Sequence, residues 1–224
     1  MGEIVDYPSN GGSSEGYLAR PVDGRGPGVI VIQEWWGLVP HIREVADRFA
    51  EAGFVALAPD LYHGAHTTEP DEAGKLLMGL AMDQAAKDIA GAANHLASLD
   101  EVDGGIGTVG FCAGGSLALW SATLSEKIVA AVGFYPVLPW ERMSPKWSNY
   151  AGKAAVIHCS EEDGRSGAQI AQQAIEAVGG EATLYDYPGT HHAFFNDDRP
   201  EVYSPDASAT AWARTLELFR TRLT

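Results

Sequence analysis

The chain predicts an α/β fold built on one mostly parallel sheet with helices on both faces. Three observations predict it. Apolar, β-branched runs alternate along the chain with segments of helical spacing. Those runs are apolar throughout rather than at every second residue, the mark of strands buried on both faces. A length of 224 residues, 46% of them apolar, is enough for one large core.

The elements follow in order. Two short strands near 3–7 and 16–19 pair antiparallel at the edge. Residues 28–33 (GVIVIQ) form the first buried strand. Pro40 opens a helix whose Ile42, Val45, Ala46 and Phe49 share one face, and Gly53 fits its end. Residues 54–59 (FVALAP) are the second buried strand. A helix over 82–98 carries Met82, Ala85, Ala86, Ile89, Ala93 and Leu96 on one stripe. Strand 106–111 is followed by a helix over 116–124. Strands 128–134 and 154–159, a helix over 166–178 and strand 182–187 continue the alternation. The last helix aligns Trp212, Leu216, Phe219 and Leu223. The proline-rich segment 136–150 reads as a surface excursion. One domain over 1–224 is expected, with no large cap domain.

Composition narrows the function classes. The net charge of −15 would repel nucleic acid and an anionic membrane face. No apolar run reaches the length of a membrane span, and the first residues show no signal-peptide pattern. Two cysteines do not make a disulfide scaffold, and a cytoplasmic location is expected. Cys112 and Cys159 should not pair, because strand 128–134 lies between theirs. Two strand spacings separate them by about 10 Å, beyond the roughly 7 Å limit of a bridge. His63, His66 and His158 form no recognised metal pattern. The expected partner is a small molecule, and the expected assembly a monomer or small homo-oligomer.

Ligands of such sheets bind beyond the carboxyl ends of the strands. Those ends deliver Gln33 to Trp36, Asp60 to Tyr62, Cys112, Tyr135, Cys159 to Asp163, and Tyr187 to His192. A thiol, an acid and an imidazole thus meet at one edge. The stretch G-F-C-A-G (110–114) at a strand-to-helix junction has the shape of a nucleophile elbow, with cysteine in the usual place of serine. A helix N-terminus behind the sulfur favours a thiolate and an oxyanion, and the Ala113 N–H points where that oxyanion forms. The order Cys–Asp–His matches the nucleophile–acid–base order of α/β-hydrolases. Asp163 would orient the base, with Glu161 and Glu162 as rivals. Spacing alone leaves His191 and His192 equivalent.

At these residues the chain resembles the dienelactone hydrolase family of α/β-hydrolases, over nearly its full length. The stretches Q-E-W-W-G (33–37), A-P-D-L-Y (58–62), G-F-C-A-G-G (110–115), E-D (162–163) and G-T-H-H-A-F-F (189–195) carry the resemblance. It implies Cys112 as nucleophile, Asp163 as triad acid and His192 as base, because Ala193 and Phe194 follow His192. It further implies Glu34 as an active-site glutamate and the Trp35 N–H as second oxyanion donor. In the family the resting thiol lies against that glutamate and turns to the histidine when substrate arrives. A carboxylate beside a thiol opposes thiolate formation, so the thiolate would be made on demand.

One departure is plain. The family's two carboxylate-binding arginines fall on Gly64 and Asn196. Arg165 and Arg199 are near in sequence, which does not fix their reach. A neutral ester or a different lactone therefore fits at least as well. Trp36, Tyr62 and Tyr135, with Trp140 and Trp147, are candidates for an apolar pocket. The reading is a cysteine hydrolase of activated esters or lactones that works through a thioester and requires no cofactor. Two alternatives remain: a redox-responsive thiol protein, and a ligand-binding relative without catalysis.

Overall fold

The computed structural model describes residues 2–9 and 11–224. Eight strands form one sheet: β1 (Glu3–Ser9), β2 (Gly12–Ala19), β3 (Gly26–Ile32), β4 (Val55–Pro59), β5 (Val102–Phe111), β6 (Ile128–Phe134), β7 (Ala154–Ser160) and β8 (Glu181–Tyr187), in the spatial order β1-β2-β4-β3-β5-β6-β7-β8. The β1–β2 hairpin forms the antiparallel edge, and β2 also runs antiparallel to β4. Every later pair is parallel. The apolar runs explain why: Val29 to Ile32, Val55 to Ala58 and Ala130 to Val132 are all buried, so only a sheet covered on both faces accommodates them.

The helices supply that cover. On one face, Phe49 of α1 (Pro40–Glu51) packs against Trp212 and Phe219 of the C-terminal helix. On the other, a 17-residue helix, Met82–Ser98, packs on β1, β4 and β5 and touches the helix Ala113–Ser121. The helix Pro70–Gly79 had no signal in the sequence. Only Ala73 of its ten residues is buried, so it lacks an apolar stripe. In chain order the helices are thus α1, α2 (Pro70–Gly79), α3 (Met82–Ser98), α4 (Ala113–Ser121), α5 (Ser166–Glu176) and α6 (Pro205–Arg222).

Segment 136–150 corrects the surface reading. It forms two 3₁₀ turns, Trp140–Arg142 and Trp147–Tyr150, and Trp140, Met143 and Tyr150 are buried. Its prolines exclude regular helix without preventing docking. Trp140 Nε1 donates to the Gly167 carbonyl at 2.8 Å, the Tyr150 hydroxyl to Leu119 at 2.8 Å, and Arg142 to Leu77 at 2.7 Å. The segment therefore ties α5, α4 and α2 together.

The tightest point in the fold is the turn from β5 into α4. A Cβ on Gly110 would stand 2.0 Å from the Gly114 carbonyl oxygen. One on Gly114 would stand 2.2 Å from the Gln33 carbonyl oxygen, at the end of β3. Real carbon atoms do not approach oxygen so closely, so both positions require glycine. Gly110→Ala and Gly114→Ala should each cost about 2 kcal/mol or more by overpacking. Gly74→Ala, where nothing lies within 4 Å, should stabilise α2 by up to about 1 kcal/mol. Urea denaturation of the three variants checks this; elbow variants as stable as wild type would contradict it.

Candidate active site

Cys112 occupies the N-cap of α4 with φ 57° and ψ −121°, a strained conformation for any residue but glycine. The surrounding backbone holds it there. Its N–H donates to Phe134 O at 3.1 Å, and its carbonyl accepts from Gly115 N at 3.0 Å. The side chain lies at the head of the helix, where first-turn N–H groups lack intrahelical partners. It is buried, with 8% of the residue exposed.

The acidic turn after β7 divides its work among three residues. Asp163 Oδ2 lies 2.7 Å from His192 Nδ1. Glu162 accepts the His192 backbone N–H at 2.8 Å and pairs with the exposed His191 ring at 3.3 Å. Glu161 accepts the Gly189 N–H. Geometry therefore separates the candidates: Asp163 and His192 face each other in the site, while His191 looks outward. Ser160 locks the acid, its hydroxyl donating to Asp163 Oδ2 at 2.5 Å and accepting from Asp163 N at 3.1 Å. Sequence reasoning missed Ser160, although a serine three residues before the acid is a turn-forming signal.

The charges follow from these contacts. Burial alone would lift the Asp163 carboxyl, but its bonds to His192 and Ser160 hold it below the usual carboxylate value. Burial alone would lower His192. The hydrogen bonds to Asp163 and to the Cys112 thiol outweigh it, and its pKa is pushed up to about 10. The imidazole thus stands between an acid and a sulfur.

Glu34 lies at the end of β3 and is almost fully buried. Its Oε2 accepts from Asn196 Nδ2 at 2.9 Å, and its Oε1 has no partner. Among the described residues no hydrogen bond joins this carboxyl to the thiol, and Cys112 is one of the groups that raise the His192 pKa. Burial lifts the Glu34 pKa, offset in part by the Asn196 bond and by the charges of His192 and Arg199. The near contact of Gly114 with Gln33 brings the backbone of the β3–α1 loop beside the start of α4. The N–H groups of Trp35 and Ala113 belong to those two segments.

The predicted pocket residues separate. Trp36 lines a cavity of about 450 Å³ with His41, Thr67, Asn196, Asp198 and Arg199. Tyr62 lines a different cavity beneath α2. Its hydroxyl is lifted by burial and by the nearby charge of Cys112. Tyr135 is fully buried and packs edge-on against the His192 ring, 5.0 Å between centroids. It is a wall behind the base rather than an open pocket surface. Trp140 and Trp147 pack against each other at 5.2 Å. Gly64 serves a turn at φ 94°, its N–H on Asp60 Oδ2 at 2.6 Å. Arg165 pairs with Asp186 at 3.2 Å and Arg199 with Glu201 at 3.0 Å. Cys159 is a free core thiol, pushed up to about 12 by burial and by Asp186.

Sheet order, elbow and facing acid and imidazole define an α/β-hydrolase. The profile of the dienelactone hydrolase family matches residues 14–223. The chain is 34% identical to protein usf of Aquifex pyrophilus, covering 100% of both. It is 30% identical, again over 100% of both, to an Aquifex aeolicus protein provisionally named carboxymethylenebutenolidase. A crystal structure of a provisionally named dienelactone hydrolase from Klebsiella pneumoniae superposes with a TM-score of 0.85 at 27% identity, covering 98% of each chain. The chain belongs to the dienelactone hydrolase family and is an enzyme of the carboxylic ester hydrolase class.

The raised His192 value gives a direct expectation. In an NMR titration the ring should change charge near pH 10. Because the native value is raised, the stabilising pairing is complete below the unfolded histidine value and is lost as pH rises through the native one. Cys112→Ala and Asp163→Asn should each lower the midpoint. A midpoint that neither variant moves would contradict the assigned contacts.

Proposed function

We propose that the protein is a cysteine hydrolase of activated, uncharged esters or lactones. The observation that carries the reading is the 2.7 Å bond from Asp163 to His192, with Cys112 close enough to raise the pKa of the same ring.

The steps balance with these groups alone. Cys112 Sγ attacks the carbonyl carbon while His192 holds the thiol proton. The carbonyl oxygen becomes an oxyanion facing the N–H groups of Trp35 and Ala113, each contributing on the order of 3 kcal/mol to the transition state. Collapse breaks the ester C–O bond, and the departing alkoxide takes the proton from His192. A thioester remains on Cys112. His192 then removes a proton from water as the water attacks the thioester, and returns it to the departing thiolate. Asp163 keeps Nδ1 occupied and steadies the imidazolium.

The substrate class follows from what surrounds the site. Gly64 and Asn196 supply no cation. Arg199 lines the neighbouring cavity, but Glu201 occupies its Nε and Asp198 lines the same wall. The charges there offset one another, which favours a neutral substituent against Trp36 and Thr67. No helix among the described residues is long and apolar enough to cross a membrane. A thiol nucleophile acting on small molecules fits a reducing cytoplasm.

A panel of p-nitrophenyl esters, neutral lactones and the carboxylate-bearing dienelactone tests the reading. Neutral compounds should exceed the dienelactone in kcat/KM by roughly tenfold or more, since no charge-assisted pair awaits a carboxylate. Cys112→Ala should lose about 10⁴-fold in kcat. Retained turnover in Cys112→Ala would sink the mechanism, and a preference for the dienelactone would sink the substrate class.

A further inference from the structure

The proline-rich segment after β6 takes no part in the mechanism above, yet it forms one wall of a groove that opens at the triad acid. The groove, about 370 Å³, runs between residues 136–141 and the start of α5, and Asp163 lines it. Pro136, Val137, Leu138 and Trp140 make one apolar wall, and Ile170 stands on the other. Five large apolar residues are exposed among the described residues, and two of them, Val137 at 42% and Ile170 at 55%, line this one groove. Single exposed apolar residues need no explanation, but a pair in one cleft marks a binding surface. Both walls are pinned. Leu138 N donates to Ser116 Oγ in the first turn of α4 at 2.9 Å, and Trp140 Nε1 donates to the Gly167 carbonyl at the start of α5 at 2.8 Å. The groove is therefore preformed, between the helix that carries the nucleophile and the turn that carries the acid.

We propose that this groove is the subsite for the alcohol half of the ester, and that it takes an uncharged alkyl or aryl group. The proposal rests on the reading of Cys112 and His192 as nucleophile and base, and names the part of the substrate that this side of the site selects. When the ester C–O bond breaks, the departing oxygen takes its proton from His192. That oxygen therefore sits against the imidazole. The carbon chain it carries leaves past the ring, on whose Nδ1 side Asp163 stands at 2.7 Å. The groove opens at that acid. Tyr135, fully buried with its ring 5.0 Å from that of His192, fills the space behind the base. The outward course, toward Val137 and Ile170, is left for the chain. The charged side chains that line the groove, Glu141 and Asp163, are both acids, so a carboxylate on the alcohol half would be repelled. The cavity beside Trp36 is left for the acyl half. A lactone ties its two halves into one ring and gains less from the groove than an open ester does.

Two ester series separate the halves. In the first, ethyl to butyl esters of methoxyacetic acid, only the alcohol changes. Wild-type kcat/KM should rise about tenfold across it, roughly threefold per buried methylene. Ile170→Asn and Val137→Asn should each flatten that rise to about threefold or less. Val22→Asn, at a fully exposed apolar residue outside the groove, should keep the wild-type rise. In the second series, p-nitrophenyl acetate to butyrate, only the acyl group changes, and neither groove variant should alter the dependence on acyl length. Both groove side chains are exposed, so their replacement leaves the core intact. A flat alcohol series in the wild type, or a rise that survives both groove variants, would overturn the proposal. So would variants that flatten both series alike, which mark a general disturbance of the site. Variants that change self-association on gel filtration but leave the rise would mark a contact between copies and would overturn it too. Failure of the hydrolase reading is recognised separately, as turnover surviving in Cys112→Ala.

Discussion

The site depends on the backbone approach at the end of β5. Gly110 and Gly114 let the first turn of α4 touch both the strand it leaves and the carbonyl of Gln33 just beyond β3. Any larger side chain there would push α4 off the sheet. With the approach intact, Cys112 is held at φ 57° above the sheet edge, and the Glu34–Trp35 backbone is held beside it. The strain at Cys112 is local and is balanced by its bonds to Phe134 and Gly115.

The remaining groups reach that point through parallel strands. Neighbours β5, β6 and β7, then β8, bring Cys112, Tyr135, Asp163 and His192 to one edge in spatial sequence. Each loop is then fixed by short polar contacts rather than by more core. Ser160 holds Asp163, Glu162 holds the His192 backbone, and Asn196 holds Glu34. The His192–Asp163 pair is only partly enclosed, with side-chain exposures of 28% and 20%, so its strength comes from the short, charge-assisted hydrogen bond. Burial of Glu34, given only the neutral Asn196 donor, raises its pKa.

Much of this was legible in the chain because the signals were strong and local. Continuous apolar runs marked the buried strands, and Pro40 and Gly53 bracketed α1 as read. The glycines flanking Cys112 marked the elbow. What stayed illegible had a physical reason. Helix α2 buries one residue and carries no stripe. Segment 136–150 docks through scattered tryptophan, arginine and tyrosine contacts that no period reveals. The facing of His192 against His191 depends on which ring meets Asp163, a matter of loop geometry. The partner that the Glu34 carboxyl finds, Asn196, lies 162 residues away in sequence. Tyr135 stood at the expected strand end, but its burial behind His192 follows from the turn at its positive φ.

The central claim is that the sulfur of Cys112 carries the acyl group between two half-reactions. Acid quenching during turnover of a slow ester, followed by intact-mass and peptide analysis, reads this directly. The account predicts one added acyl mass, located on the peptide containing Cys112 and absent from Cys112→Ala. Turnover with no adduct on that peptide, or a sulfenic acid there with no turnover, would contradict it.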